Sequence, residues 1–143
     1  MAISLLQALV AEETFDPKAV AARFLANFHP ERGYGARIYG IMDRLAAGVP
    51  WEEVGTDSFG NGSAMRVWPV GLFFYDDLAR VKEVAVAQAI ITHRHPEAKA
   101  GAVIQAGAVA LALRAGLEDR PIEAESFLNT LADLAQDLSL IHI

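Results

Sequence analysis

The chain has 143 residues, 53% of them hydrophobic and 21% charged, which fits one globular domain with a sizeable core and argues against disorder. A net charge of -6 argues against a surface that neutralises many nucleic-acid phosphates, so no nucleic-acid partner is expected, while a small phosphate-bearing ligand remains compatible with it. The absence of cysteine excludes disulfides and thiolate metal sites, and the N-terminus lacks the basic flank and apolar run of a signal peptide, so a cytoplasmic location is expected.

In chain order the pattern is helical throughout. Ile3, Leu6, Leu9 and Val10 share one face of a helix from Met1 to about Glu12. Asp16-Pro17 is a cap followed by a proline at a first helical position, and Val20, Phe24 and Phe28 continue one stripe towards His29-Pro30. After HPERGYG, a helix from about Ala36 carries Ile38, Ile41, Met42 and Leu45, with Gly48 placed to cap it. Val49 to Glu53 predicts a short helical turn. Asn61-Gly62 precedes another helical run that Pro69 should break or kink. Asp76-Asp77 can cap a segment reaching Ile91, Pro96 begins an Ala-rich helix ending near Gly116, and Pro121 starts a last helix to about Leu138.

The weakly charged run from Ala100 to Leu113 is shorter than the roughly 20 residues that span a bilayer, so no membrane partner is expected and a buried helix is. Its small residues, Gly101, Ala102, Ala106, Gly107, Ala108 and Ala110, would let neighbouring helices approach closely and place it centrally. With no alternating strand pattern, repeat or linker, the expected fold is all-α, a single orthogonal helical bundle.

Two polar clusters interrupt the helices. DSFGNGSAMR, residues 57–66, sets two glycines around Asn61 where a loop enters a helix, which suggests either positive φ or close approach by another group. Such a loop can present backbone N–H groups to an anion, or it can simply be a tight helix entry. Arg66, one turn into the helix, would ordinarily pair with a structural carboxylate. THRHPEA, residues 92–98, places His93 and His95 at a helix junction. Helix punctuation, a metal site and a ligand contact all remain open for them, although H-x-H-P-E lacks the H-E-x-x-H spacing that puts two histidines on one helical face.

Together the strings SFGNGSAMRVWPVGL (58–72) and ITHRHPEAKAGA (91–102), with RGYG (32–35) and AAGVPWEE (46–53), resemble the ADP-ribosylglycohydrolase family. The likeness runs from Met1 through the Ala-rich helix. It implies an all-α enzyme with a dinuclear Mg2+ (or Mn2+) site that hydrolyses the bond between C1 of ADP-ribose and its acceptor, so the implied partner is an ADP-ribosylated protein or an ADP-ribose-containing small molecule. The resemblance places Ser58, Phe59, Gly60, Asn61 and Gly62 at the ADP-ribose and His93 on its ribose and phosphate side. His95 and Glu97 fit the pattern without an implied contact.

The family's metal ligands come from a Thr-Asp-Asp cluster just before the first helix here and an Asp-x-Asp-Thr-like cluster nearer the C-terminus. Neither is present, Asp76-Asp77 is misplaced for the role, and the family's N-terminal Gly-Asp segment is missing too. No metal ligand or catalytic residue is therefore assigned. Residues 1–137 are expected to be a partial family domain with little or no hydrolysis alone. LSLIHI, residues 138–143, reads as an extraneous tail.

Overall fold

The computed structural model describes residues 1–136 and 138, and these form an all-α domain. The expected tail lies outside the described residues except for Leu138, which packs against the core.

Helices α1 (Ala2–Glu12) and α2 (Pro17–Ala26) pack as a pair. The Asp16 carboxylate caps α2 by accepting the Lys18 N–H at 2.9 Å. The expected stripe to Phe28 stops early, because α2 ends at Ala26. There the Asn27 side chain donates to Ser4 Oγ (3.1 Å) and Gln7 Oε1 (3.0 Å), tying the helix end to α1. Phe28 instead packs against the rings of Tyr34 and Tyr39, at 5.0 and 5.5 Å between centroids, and the Tyr39 hydroxyl donates to Pro30 O. That aromatic cluster fixes the RGYG segment, which runs from a 3-10 turn (Pro30–Arg32) into α3 (Ala36–Ala46). Gly48 caps α3 as expected. At φ 82° its N–H reaches Leu45 O while Val49 N–H reaches Arg44 O, both at 3.0 Å, the paired bonds of a Schellman ending.

After the single turn α4 (Trp51–Val54), the run that Pro69 was expected to interrupt is two helices, α5 (Gly62–Met65) and α6 (Trp68–Phe73). The break falls at Arg66-Val67, upstream of the proline. Pro69 has no N–H for the carbonyl four residues earlier, at Met65, so the ladder fails one turn before the ring and restarts around it. Asp77 then caps α7 (Leu78–Ile90) by accepting the Arg80 N–H at 3.0 Å.

Helix α8 (Pro96–Leu117) is central, packing on α5, α6, α7 and the last helix, α9 (Ala124–Ala135). By length and apolar content alone α8 could cross a membrane; in this fold it packs against four other helices. Helix α9 begins three residues after Pro121, the expected start. Asp119 is left-handed (φ 48°) and a proline disfavours helical geometry at the residue before it, so the chain turns before α9 lies back on α8. The core runs from Leu5, Leu9 and Phe24 through Ile41, Met42 and Val54 to Val81, Val84, Ile91 and Val103. Each of the larger side chains contributes about 1.5–3 kcal/mol by leaving water.

Among the described residues no strand forms. One isolated parallel bridge joins Thr56 to His93, with Thr56 N–H donating to Thr92 O (3.2 Å) and Arg94 N–H to Thr56 O (2.8 Å). That bridge brings the segment between α4 and α5 against the α7–α8 junction, so the two polar clusters meet.

Candidate functional site: a cavity lined by arginine and glycine

Where they meet, a cavity of about 700 Å³ opens, lined by Ser58, Gly60, Asn61, Gly62, Thr92 and His93 on one side and by Gly33 to Ile38 of the RGYG segment and α3 on another; Met1, Ala2, Met65 and Arg66 also contribute. Its size suits a ligand of nucleotide dimensions, within the roughly 300–1,000 Å³ of small-molecule sites. Five of the six residues expected at the ligand therefore share one wall. Phe59 does not line it: its ring is 70% exposed and lies edge-on to His95, 5.9 Å between centroids.

Of the two loop glycines, Gly62 is the one that close approach requires. Neither has positive φ. A Cβ on Gly62 would sit 2.9 Å from His93 Cε1 and 3.2 Å from Nε2, and one on Gly60 3.7 Å from the same nitrogen, so the imidazole rests on the turn. Ser58 Oγ accepts the Gly60 N–H at 3.3 Å and holds the turn from within.

His93 is buried, and its Nδ1 lies 2.7 Å from Thr92 Oγ1. That nitrogen is the sole partner of the buried Thr92 hydroxyl among the described residues. A buried hydroxyl proton needs an acceptor, so Nδ1 takes it and Nε2 carries the ring hydrogen towards the glycine turn. Burial, then the fields of Arg66 and Arg37, push the imidazole down from 6.5 to about 4. Near neutral pH it is an uncharged donor. His95 acts differently, since its ring accepts the Glu97 N–H at 3.3 Å and caps α8. The three readings left open for the pair thus divide, with helix punctuation for His95 and a place on the cavity for His93.

Arg66 corrects the sequence-based expectation. It is 3% exposed, and its partner is an amide instead of a carboxylate. Nε donates to Gln88 Oε1 and Nη2 to Gln88 O, each at 2.7 Å; the guanidinium lies 4.6 Å over the Phe24 ring; among the described residues Nη1 meets only the Met1 thioether, at 3.6 Å. Burial pushes its pKa down to about 9, which still leaves it cationic at neutrality. Gln88 is suited to this because its amide donates to Ser63 O (3.3 Å) and Ala85 O (3.1 Å). A carboxylate there would face two carbonyl oxygens with nothing to donate. Ser63 Oγ in turn donates to Ala98 O (2.9 Å), so α5 is pinned to both α7 and α8 beneath the cavity.

Among the described residues none that lines the cavity is Asp or Glu, although the chain carries 18 acidic residues. The N-terminal turn of α3, whose cap and first turn lack acidic side chains, adds the positive end of its dipole. The wall also holds Thr56 Oγ1, buried without a hydrogen-bond partner. The same chemistry does not fit the metal pair implied by the resemblance. Hard divalent cations need clustered oxygen ligands, and no group of three or more His, Asp or Glu is assembled among the described residues.

Residues 1–141 match the sequence profile of the ADP-ribosylglycohydrolases. The chain belongs to the ADP-ribosylglycohydrolase family. As a member of that hydrolase family it is 34% identical over 149 residues to the ADP-ribosylhydrolase ARH3 of Homo sapiens and 32% identical over 148 residues to that of Gallus gallus. Both alignments take in 96% of this chain and 39% of the relative. An uncharacterized protein of Archaeoglobus fulgidus is 33% identical over 110 residues, 76% of this chain and 36% of that one. This ADP-ribosylglycohydrolase chain thus spans about two fifths of the length of the curated relatives it matches.

Sequence reasoning singled out the glycine turn and His93, which the fold brings to the cavity, and gave no role to Thr56 and Arg37, which also line it, or to Gln88 behind Arg66. RGYG carried no assigned role, although its position before an uncapped helix was visible. Gln88 gave no signal, since one glutamine within a helix looks like any solvated residue until the fold buries it.

Proposed function

We propose that this chain forms the ADP-ribose-holding part of a metal-dependent ADP-ribosylhydrolase, acting on an ADP-ribosylated protein or a small ADP-ribose conjugate. The observation that carries the reading is the cavity's charge: two arginines and a helix N-terminus surround a space with no carboxylate among the described residues, in a protein whose net charge is -6. A diphosphate is the part of ADP-ribose that such a space attracts. The backbone N–H groups of Asn61 and Gly62 are open to phosphate oxygens, the His93 Nε2–H and the orphaned Thr56 hydroxyl are suited to ribose or phosphate oxygens, and the exposed Phe59 ring offers a stacking face for a base. In the reaction, water's oxygen joins C1 as the C1–acceptor bond breaks, and a proton passes to the leaving acceptor. The residues here hold and orient the nucleotide side. The carboxylates for a metal pair would come from outside this chain, a reading supported by the share of its relatives that it spans.

On its own the chain is then an ADP-ribose-binding module. Calorimetry with ADP-ribose should give binding that is indifferent to Mg2+ and lost or strongly weakened in Asn61→Ala, whose side chain makes no hydrogen bond among the described residues and so carries little stability. Absence of binding at about 1 mM ligand, a free energy near -4 kcal/mol, would overturn the reading. Mg2+-dependent release of ADP-ribose by this chain alone would overturn the assignment of the metal ligands to residues elsewhere.

A further inference from the structure

Arg37 is the second residue of α3, and its exposed side chain stands on the cavity wall. It has positive neighbours on two sides. The first turn of a helix carries partial positive charge and ordinarily gathers acids. The buried Arg66 cation lies on the same cavity, and the fields of both arginines reach His93. No carboxylate answers: Arg37 makes no hydrogen bond or ion pair among the described residues, in a chain with 18 acidic and 12 basic side chains. An exposed guanidinium beside its own helix N-terminus and a neighbouring cation, on a cavity with no acid among its described lining, is unpaired among the described residues and can take an anion from a ligand.

We propose that Arg37 binds an anionic group of the cavity's ligand, namely the phosphate oxygens of a diphosphate, and so sets the preference for a charged over an uncharged nucleoside ligand. The planar fork of the guanidinium can give two parallel N–H bonds to one phosphate, which backbone amides of the glycine turn cannot do with the same reach. The choice of ADP-ribose as one probe rests on the function proposed above; inorganic pyrophosphate tests Arg37 without it.

Calorimetry would compare wild type, Arg37→Gln, Arg37→Glu and Arg23→Gln, the last an exposed arginine of α2 away from the cavity, against ADP-ribose, pyrophosphate and adenosine. Arg37→Gln should weaken both anions by about threefold to tenfold, the scale of one partly exposed charge-assisted contact, and Arg37→Glu should weaken them further. Adenosine binding should not change, and Tm should hold or rise because a cation leaves a helix N-terminus. Unaltered pyrophosphate affinity in Arg37→Gln would overturn the proposal, as would an equal loss in Arg23→Gln or an equal loss for adenosine. If pyrophosphate behaves as expected while ADP-ribose does not bind, the ADP-ribose reading falls and Arg37 stands. Wild type that binds neither anion overturns both.

Discussion

A methyl group at position 62 would stand 2.9 Å from His93 Cε1, inside the contact distance real side chains keep, so either the ring or the turn must move. The ring is held by Thr92 on its far side, and the turn is held by Ser63, whose hydroxyl and carbonyl are both engaged. Gly62→Ala should therefore displace His93 Nε2 from its aim. We expect ADP-ribose affinity to fall by about tenfold or more, against a stability loss of about 1–2 kcal/mol for local overpacking. Paired calorimetry and thermal melts check it, and a variant with a lowered Tm but wild-type affinity would leave the contact merely structural. The pairing of glycine and histidine also shows what the sequence could convey at this scale. GNG announced either positive φ or close approach, and only the fold decides for the second, since the approaching ring comes from a different helix junction. Arg66 was legible as a charged residue near the loop but not in its partner, because helical spacing places carboxylates and cannot see an amide folded against it from α7.

Helix boundaries were legible where a cap writes them locally, as at Asp16, Gly48, Asp77 and Pro96, and less so where tertiary contacts set them. Phe28 left its stripe for an aromatic cluster, and α9 waited beyond Pro121 for a turn back onto α8. The Ala-rich composition of α8 did convey close packing, and two glycines report how close. A Cβ at Gly71 of α6 would collide with the Ala106 carbonyl oxygen, and one at Gly107 would lie 2.8 Å from Leu134 Cδ2 and 3.0 Å from Leu131 Cδ2. The obstacles differ in kind. A backbone carbonyl in mid-helix can yield only if α6 and α8 separate, whereas leucine methyls can swing to another rotamer. Gly71→Ala should thus cost about 3 kcal/mol or more, at the upper end of overpacking, and Gly107→Ala about 1 kcal/mol, partly offset by the helix propensity gained at an interior glycine. Chemical denaturation of the two variants gives the comparison, and equal losses would mean that the α6–α8 contact is as compliant as the α8–α9 contact.

For the molecule as a whole, two electrostatic effects on an anionic ligand oppose each other. The net charge of -6 repels it at long range, while Arg37, Arg66 and the α3 N-terminus attract it within the cavity. Composition displayed the first effect, and only the fold, by keeping the described acidic side chains away from the cavity lining, displays the second. Separation decides which wins. At a Debye length of about 8 Å the acids spread over the surface are already largely screened, whereas a phosphate inside the cavity would lie within a few ångströms of the arginines, where screening is weak but not absent. The attraction should therefore govern the salt dependence. Raising ionic strength from about 0.05 M to about 0.5 M should weaken ADP-ribose or pyrophosphate binding by roughly threefold or more as the arginine field is screened. Net repulsion would give the opposite sign, with binding that tightens as salt is added. An affinity that rises with salt in a calorimetric series would place the dominant charge on the outer surface and sink the view of this cavity as a local anion site.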